Sequence, residues 1–401
     1  MTKIEWVKNE DGSHGETWNP IVGCSILSPG CTNCYAMRMA ARIEAMNHEA
    51  RETERSSGKK RPAAAQYDGT TKIVNGSPVW TGKMQLAGEN VLLAPLKRKK
   101  TTTYFVNSMG DLFHENVPDE WIDQVFAVMA LCPQHTFQVL TKRAERMREY
   151  MSRAVDMSAL LGATFTSINT RGRIDVARAT ELNHRITAGA MPWPLPNVWL
   201  GVSTERQKEA DERIPLLLQT PAAIRFISAE PLLGPIDLNR IHEGYDTPEG
   251  ARVDMWESAL NGKRFDIWSD GDTEGHPKLD WVIVGGESGP DARPMHPDWA
   301  RALRDQCAAA GTKFFFKQWG EWRQRDCVHV AREHAVFNPD GSLTMGVGAG
   351  TAIECLRTHV VMERMGKSRA GRELDGVTHD DMPGQPDHVI TPPARRAAAA
   401  E

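Results

Sequence analysis

Cys24, Cys31 and Cys34 fall within eleven residues of the stretch TWNPIVGCSILSPGCTNCYA, spaced C-x6-C-x2-C. Thiolates this close together on a loop rich in Pro and Gly can converge on one soft metal centre. A helical stretch follows directly, and a helix N-terminus lowers the energy of nearby thiolates. Three chemistries fit the trio. Zinc requires four ligands, usually Cys or His; His14 is the nearest upstream candidate for the fourth, and no second C-x2-C pair occurs. A [4Fe–4S] cluster held by three cysteines leaves one iron open to a ligand from outside the chain. The third reading is a chance grouping of structural cysteines. The other four cysteines are scattered. Cys132 ends a helical stretch at 119–131 and Cys307 sits in an apolar helix pattern, so both read as small buried hydrophobes. Cys327 and Cys355 lie far apart, with too few ligands nearby for a second cluster.

The elements that must position the trio are legible as repeated short apolar runs. They are Trp18–Gly23, Thr103–Asn107, Thr136–Thr141, Val198–Ser203, Ala223–Ala229, Trp281–Gly286 and Lys313–Lys317. Several are almost continuously apolar, as expected of parallel strands covered on both faces. Helix patterns lie between them. Ile122, Val125, Phe126 and Met129 follow the start signal Pro118-Asp119-Glu120, and Pro297-Asp298 opens a stretch that ends at Gly311. Strands alternating with helices imply an α/β fold, a β/α barrel or a doubly wound sheet, with function gathered beyond the carboxyl ends of the strands. Those ends read Asn107-Ser108-Met109-Gly110-Asp111, Thr141-Lys142-Arg143, Ser203-Thr204-Glu205, Ser228-Ala229-Glu230-Pro231, Gly285-Gly286-Glu287-Ser288 and Lys317-Gln318-Trp319. All six are polar or charged, which points to a shared polar site. Structural ion pairs across the strand ends are the competing account of each charge.

Composition sets the outer limits. The chain has 401 residues, a formal charge of −4, 40% apolar and 25% charged residues, the profile of an ordinary globular protein. Seven cysteines, an odd number, speak against a fully paired secreted framework and for a reducing compartment, the cytoplasm. The start MTKIEWVKNEDGSHG lacks the apolar core of a signal peptide. No run of about 18 apolar residues predicts a membrane span. Residues 51–100 hold eleven Lys or Arg against four Asp or Glu, a surplus of seven positive charges, so the rest of the chain sums to −11. Lys59-Lys60-Arg61 and Lys97-Arg98-Lys99-Lys100 are its two clusters, either solvated surface or a phosphate-facing patch. Long insertions are expected at 46–100, 151–196 and 236–280, the last acidic and read as a surface loop or lid. One domain is expected over 1–376, with a disordered tail at 377–401.

A three-cysteine loop after the first strand of a β/α barrel resembles the radical S-adenosylmethionine (SAM) superfamily. More closely, the chain resembles a phage-associated three-cysteine-motif family of uncharacterised proteins, distant relatives of those enzymes. The matching segments are the cysteine stretch, YDG with PVWTGK, FVNSMGDLFHENVP, FQVLTKR, VWLGVSTE, RFISAEPLLGPIDL, WVIVGGESGPDARPMHPDW, FFFKQWGEW and GKSRAGRELDG, spread over about residues 5 to 376. The superfamily's usual spacing is C-x3-C-x2-C, its last cysteine follows an aromatic where this chain has Asn33, and its Gly-Gly-Glu ends the second strand. Here Gly285-Gly286-Glu287 ends the sixth.

The resemblance implies a radical-SAM-like partial barrel of six to seven parallel strands. Cys24, Cys31 and Cys34 would hold three irons of a [4Fe–4S] cluster, and the SAM amino and carboxylate groups would chelate the fourth. Reduction by an electron donor would cleave SAM to methionine and a 5′-deoxyadenosyl radical, which abstracts hydrogen. Asn107, Ser108 and Asp111 are candidates for the methionine amino group. Tyr35, Ser203 and Glu205 are further cofactor candidates, the last two for ribose hydroxyls or the carboxylate. Lys142 and Arg143 are cations able to meet a carboxylate or phosphate. Glu230 and Glu287 are candidate acceptors or proton carriers, and Lys317 and Gln318 candidates to face substrate. His114-Glu115 reads as a cap.

The phage association implies a nucleobase in DNA, or a modified nucleotide, as substrate, and an isomerase or rearrangement step in pyrimidine hypermodification. The site of action would then be the host cytoplasm. The alternative is a zinc-containing nucleic-acid-binding or scaffold protein without radical chemistry. A barrel enzyme whose cysteines are purely structural is the third possibility.

Overall fold

A computed structural model describes residues 4–58, 64–153, 192–246, 252–266, 276–325, 333–347 and 359–384. Most of the 151–196 insertion, the Lys59-Lys60-Arg61 cluster, Cys327, Cys355 and the tail beyond residue 384 lie outside the described residues. The fold is mixed α/β. Its main sheet has seven parallel strands: β1 (Glu16–Trp18), β2 (Thr103–Val106), β3 (Thr136–Thr141), β4 (Val198–Ser203), β5 (Ile224–Ala229), β6 (Trp281–Gly285) and β7 (Lys313–Gln318). They are hydrogen-bonded in chain order, the arrangement of a partial β/α barrel. Helices α1 (Tyr35–Ser57), α2 (Asp119–Ala130), α3 (Ala144–Met151), α4 (Gln207–Gln219) and α5 (Pro297–Ala310) stand between them.

The strands form where the sequence places apolar runs, with one offset. The first run starts where β1 ends. Pro20 has no N–H to give the ladder, so the parallel strand stops at Trp18. Ile21–Val22 then pairs antiparallel with Gln85–Leu86 instead. Helix α2 begins after Pro118, and α5 closes at Gly311 in the left-handed region, as their end signals require. The stretch 46–100 opens on the last turns of α1, then makes the hairpin Thr71–Val74 with Ser77–Trp80. The acidic stretch 236–280, expected as a loop, holds a three-stranded antiparallel sheet: Ile241–Asp246, Arg252–Glu257 and Arg264–Asp266. Its Trp256 and Phe265 rings stack at 6.3 Å. Enough aromatic surface pairs there to order a stretch whose charge suggested solvation.

The chain divides into two compact units, residues 1–203 with 212–226, and 204–211 with 227–401. In the first, β2, β3 and β4 present alternating faces. Tyr104 pairs with Phe137 on one face, and the rings stack at 5.5 Å. On the other face Phe105 pairs with Gln138, and Leu140 with Gly201. Trp6 fills that side, 4.8 Å from Phe105 and 6.0 Å from Phe226. In the second unit β6 is buried along its whole length and α5 packs on β6 and β7. The buried indoles of Trp281, Trp319 and Trp322 each donate to a backbone carbonyl, at 2.6 to 2.8 Å. A four-stranded antiparallel sheet follows β7.

Gly201 is where the inner face admits the Phe226 ring. A Cβ at this position would lie 2.6 Å from the ring carbons. Gly201→Ala is therefore expected to cost about 1–3 kcal/mol through overpacking, read as a lower denaturation midpoint.

Candidate metal and cofactor centre

The cysteine loop is set against the end of β2 by close backbone approach. Gly23 has φ +100° and donates to the Met109 carbonyl at 3.1 Å; a Cβ there would fall 2.1 Å from the Lys83 carbonyl oxygen. Only glycine meets both demands. Beyond Cys24 the chain turns through Pro29–Cys31, the Cys34 N–H donates to the Cys31 carbonyl at 3.3 Å, and Cys34 caps α1. The trio thus spans one turn and one helix start, where unpaired backbone N–H groups favour negative charge.

The three cysteines line one cavity of about 160 Å³. The cysteine loop and α1 contribute Ser25, Gly30, Tyr35 and Ala36 beside them; β2 and its end give Phe105, Asn107, Ser108, Gly110 and Asp111. The end of β3 adds Leu140, Thr141, Lys142 and Arg143, β4 adds Ser203, and the hairpin adds Trp80. Trp80 belongs to a buried cluster with Val22, Met37, Ala40, Tyr67 and Met109, and Cys24 and Cys34 pack against it. His14, the candidate fourth zinc ligand, is exposed and bridges Lys8, outside this lining.

Asp111 and Arg143 organise the polar wall. The Asp111 carboxylate accepts from the Thr141 hydroxyl at 2.6 Å, the Phe113 and Lys142 backbone N–H groups at 3.1 Å, and Arg143 Nη1 at 3.2 Å. Arg143 in turn donates to Cys24 Sγ at 3.5 Å, to Ser25 Oγ at 2.7 Å and to Glu115 at 3.3 Å. His114, fully buried, accepts the Asn116 N–H on Nδ1 and so carries its proton on Nε2, 2.9 Å from Ser25 Oγ. Burial, then the Arg143 charge, holds its pKa below the ordinary histidine value.

The thiols differ. Burial pushes Cys24 up to about 12, with the Asp111 charge adding to it, and burial raises Cys34 as well. Burial acts on Cys31 too, but the Lys142 charge and hydrogen bonds from Leu27 and Ser28 outweigh it and bring Cys31 below the ordinary thiol value. Burial presses Lys142 down to about 8, opposed by the charges of Cys31, Cys34 and Asp111.

Of the residues expected at the site, the structure brings Cys24, Cys31, Cys34, Tyr35, Asn107, Ser108, Asp111, Lys142, Arg143 and Ser203 to this one cavity. Their chemistry differs in places from what the residue types suggested. Asn107 sits at φ +59°, its Oδ1 accepts the Ile21 N–H, and its buried Nδ2 has no partner. The atom it offers is a donor, suited to a carboxylate or carbonyl oxygen, not an ammonium. Ser108 donates to Asn19, and the Tyr35 hydroxyl donates to the Ser108 carbonyl at 3.0 Å. His114 and Glu115, read as a cap, belong to the Arg143 network. Phe105 and Trp80 were not singled out from the sequence, and Thr141 only as part of a polar strand end. PVWTGK was the available signal for Trp80, but nothing in it showed where the hairpin would fold.

Glu205, Glu230, Glu287, Lys317 and Gln318 belong to the second unit and are not among the residues lining this cavity. Glu205 is fully buried. Lys317 pairs with Glu230 at 2.5 Å, and Arg293 closes on Glu287 with three hydrogen bonds. Gln318 donates to Ser288 and leaves its buried Oε1 without a partner. Cys132 and Cys307 are fully buried.

Over residues 1–383 the chain matches the family described as "Protein of unknown function (DUF5131)", and it belongs to that family. Neither the curated proteins nor the solved structures hold a significant match. Among the described residues no helix is long and apolar enough to cross a membrane.

Because the folded His114 takes up its proton at lower pH than the unfolded chain, the unfolded state gains protons first as pH falls. Stability is expected to drop as pH goes below about 6.5. His296 and His379 are shifted the same way. His114→Gln should therefore flatten, without abolishing, the fall in thermal midpoint between pH 7.5 and pH 5.5.

Proposed function

We propose that this member of the DUF5131 family is a radical SAM enzyme whose cluster is held by Cys24, Cys31 and Cys34. The observation that carries the reading is the convergence of all three thiols with the polar ends of β2, β3 and β4 on one cavity. The donor set fits a [4Fe–4S] group. Cysteine thiolates are its usual protein ligands, four in a complete set, so three leave one iron for a ligand from outside the chain. A lone zinc would need a fourth ligand to join the three thiols, and His14 lies outside the cavity lining.

When bound with SAM and given one electron, such a cluster supplies reductive cleavage to methionine and a 5′-deoxyadenosyl radical that abstracts hydrogen. The chain's own residues then have definable tasks. The N-terminus of α1 and the two cations at the end of β3 stabilise the thiolates. The buried, unpartnered Nδ2 of Asn107 is a donor whose chemistry suits a carboxylate or carbonyl oxygen. Tyr35 holds the Ser108 carbonyl in position. Phe105, Leu140 and Trp80 exclude water from the same space, as radical chemistry requires.

For substrate we propose a nucleobase in DNA or a modified nucleotide, undergoing isomerisation or another rearrangement in pyrimidine hypermodification in phage, in the host cytoplasm. The support is the family resemblance and the seven-charge surplus of residues 51–100. Part of that charge is internally paired: Arg98 meets Glu16 at 3.3 Å and Lys100 meets Asp11 at 3.1 Å.

Anaerobic reconstitution with iron and sulfide should give brown, oxygen-sensitive protein with about four irons per chain. Adding SAM and a strong reductant should yield 5′-deoxyadenosine. Colourless zinc protein that makes no 5′-deoxyadenosine overturns the reading. So does a Cys31→Ala variant that keeps its full iron and sulfide.

A further inference from the structure

We infer that Gln138 is a ligand-reading residue, whose buried and unpartnered amide takes the edge of a nucleobase bound at the candidate cavity. The inference rests on the proposed function, which brings two such bases to the site, the adenine of SAM and a base of the substrate. Each presents hydrogen-bond donors and acceptors side by side along one edge.

Gln138 stands in the middle of β3 and is fully buried. Among the described residues neither its Oε1 nor its Nε2 has a hydrogen-bond partner. Register fixes where it lies on the sheet. It pairs with Phe105 of β2 on one side and with Trp199 of β4 on the other. Residues at i and i+2 of a strand share a face, so Gln138 shares one with Leu140. Phe105 and Leu140 both line the cavity. Gln138 is thus level with one lining residue and one step short of the other, on the face that the cavity occupies.

A buried amide with both groups unmade bears the full cost of desolvating them. A Met at this position, of similar length, would bear none of it. A bound molecule with a matching edge removes that cost, and the chemistry of the amide narrows what the molecule is. The group is neutral, so it selects neither a cation nor an anion. It offers one donor and one acceptor side by side, the pattern with which Gln reads an adenine edge and with which a pyrimidine edge can also pair. Asn107, which lines the cavity, adds a second buried donor without a partner in its Nδ2. Phe105 and Trp80, also in the lining, supply aromatic surface of the kind on which a base stacks.

The test measures nucleoside binding by anaerobic calorimetry, using the full chain after reconstitution with iron and sulfide, beside the thermal midpoint of the same protein without nucleoside. Adenosine and thymidine are the probes for the two sources of base. Purine riboside lacks the adenine amino group and N3-methylthymidine lacks the imide N–H, so each keeps the ring and loses the edge. The wild type should bind at least one intact nucleoside on the order of 10- to 100-fold more tightly than its altered counterpart. Discrimination within the adenosine pair identifies SAM as the source, and within the thymidine pair the substrate. Gln138→Met should abolish the discrimination and raise the thermal midpoint, a combination that a structural role for the amide would not give. A wild type that binds neither nucleoside, or binds each as tightly as its altered counterpart, overturns the inference without recourse to a variant. A Gln138→Met chain that keeps the discrimination overturns it too, since the amide would then meet buried water alone. So does a lowered midpoint in Gln138→Met, which would make the amide a partner in the fold. If these tests fail in protein that still forms 5′-deoxyadenosine, only this inference falls. If they succeed in protein that assembles no iron–sulfur cluster, the base-reading role stands and the radical reading alone is overturned.

Discussion

Asp111 holds one carboxylate in a place almost without water, and the cavity is assembled around how that charge is satisfied. Its four donors come from its own turn, from the Thr141 hydroxyl, and from the backbone and side chain that follow β3. Arg143 passes the constraint on, through Cys24, Ser25 and Glu115, to the cysteine loop and the turn after β2. A buried ion pair is a poor source of net stability, because desolvating both partners costs about as much as their attraction returns. Its value here is geometric. With both partners nearly inaccessible, neither can rotate without stranding the other, so the loop, the β2 turn and the β3 end share one arrangement.

That arrangement explains why the three thiols are unlike one another. Cys24 is raised by burial first, with the Asp111 charge adding to it. Cys31 has Lys142 and backbone donors and lies low. Cys34 sits at a helix start but is buried by the Trp80 cluster, and burial prevails. Metal binding must displace a proton from each thiol that carries one, so affinity for any metal is coupled to pH and to the cations that meet the resulting thiolates. The hairpin that brings Trp80 serves the same site from its apolar side, since the dielectric around a metal site is among the levers on its potential.

In the second unit, strand-end charges that look equally functional have settled with one another. Glu230 and Lys317 form a pair, and Glu287 is closed by Arg293. Side chains of the same types at the ends of β2 and β3 face a cavity that also contains three thiols. Position on a strand end marks a residue as available for chemistry, but its partners decide whether anything is left over to perform it.

The repeating pattern of the fold was legible because parallel strands buried on both faces must be almost continuously apolar, and because Pro and Gly mark helix ends at Pro118 and Gly311 for local steric reasons. The cysteine trio was legible for a similar reason: its ligands are neighbours in the chain. The small antiparallel sheet at 241–266 was not, since its acidic composition masks cross-strand aromatic pairs that exist only after folding. Nor was the offset of β1, which Pro20 imposes once β2 is beside it. The sequence by itself determined which residue types stand at each strand end and that three thiols share one loop. Only the tertiary structure decided that Asp111 is saturated, that the free atom of Asn107 is a donor, that Arg143 turns to Cys24, and that Trp80 arrives from a hairpin more than forty residues beyond the loop. These depend on strand register and on competition among partners distant in sequence, and no local pattern encodes such competition.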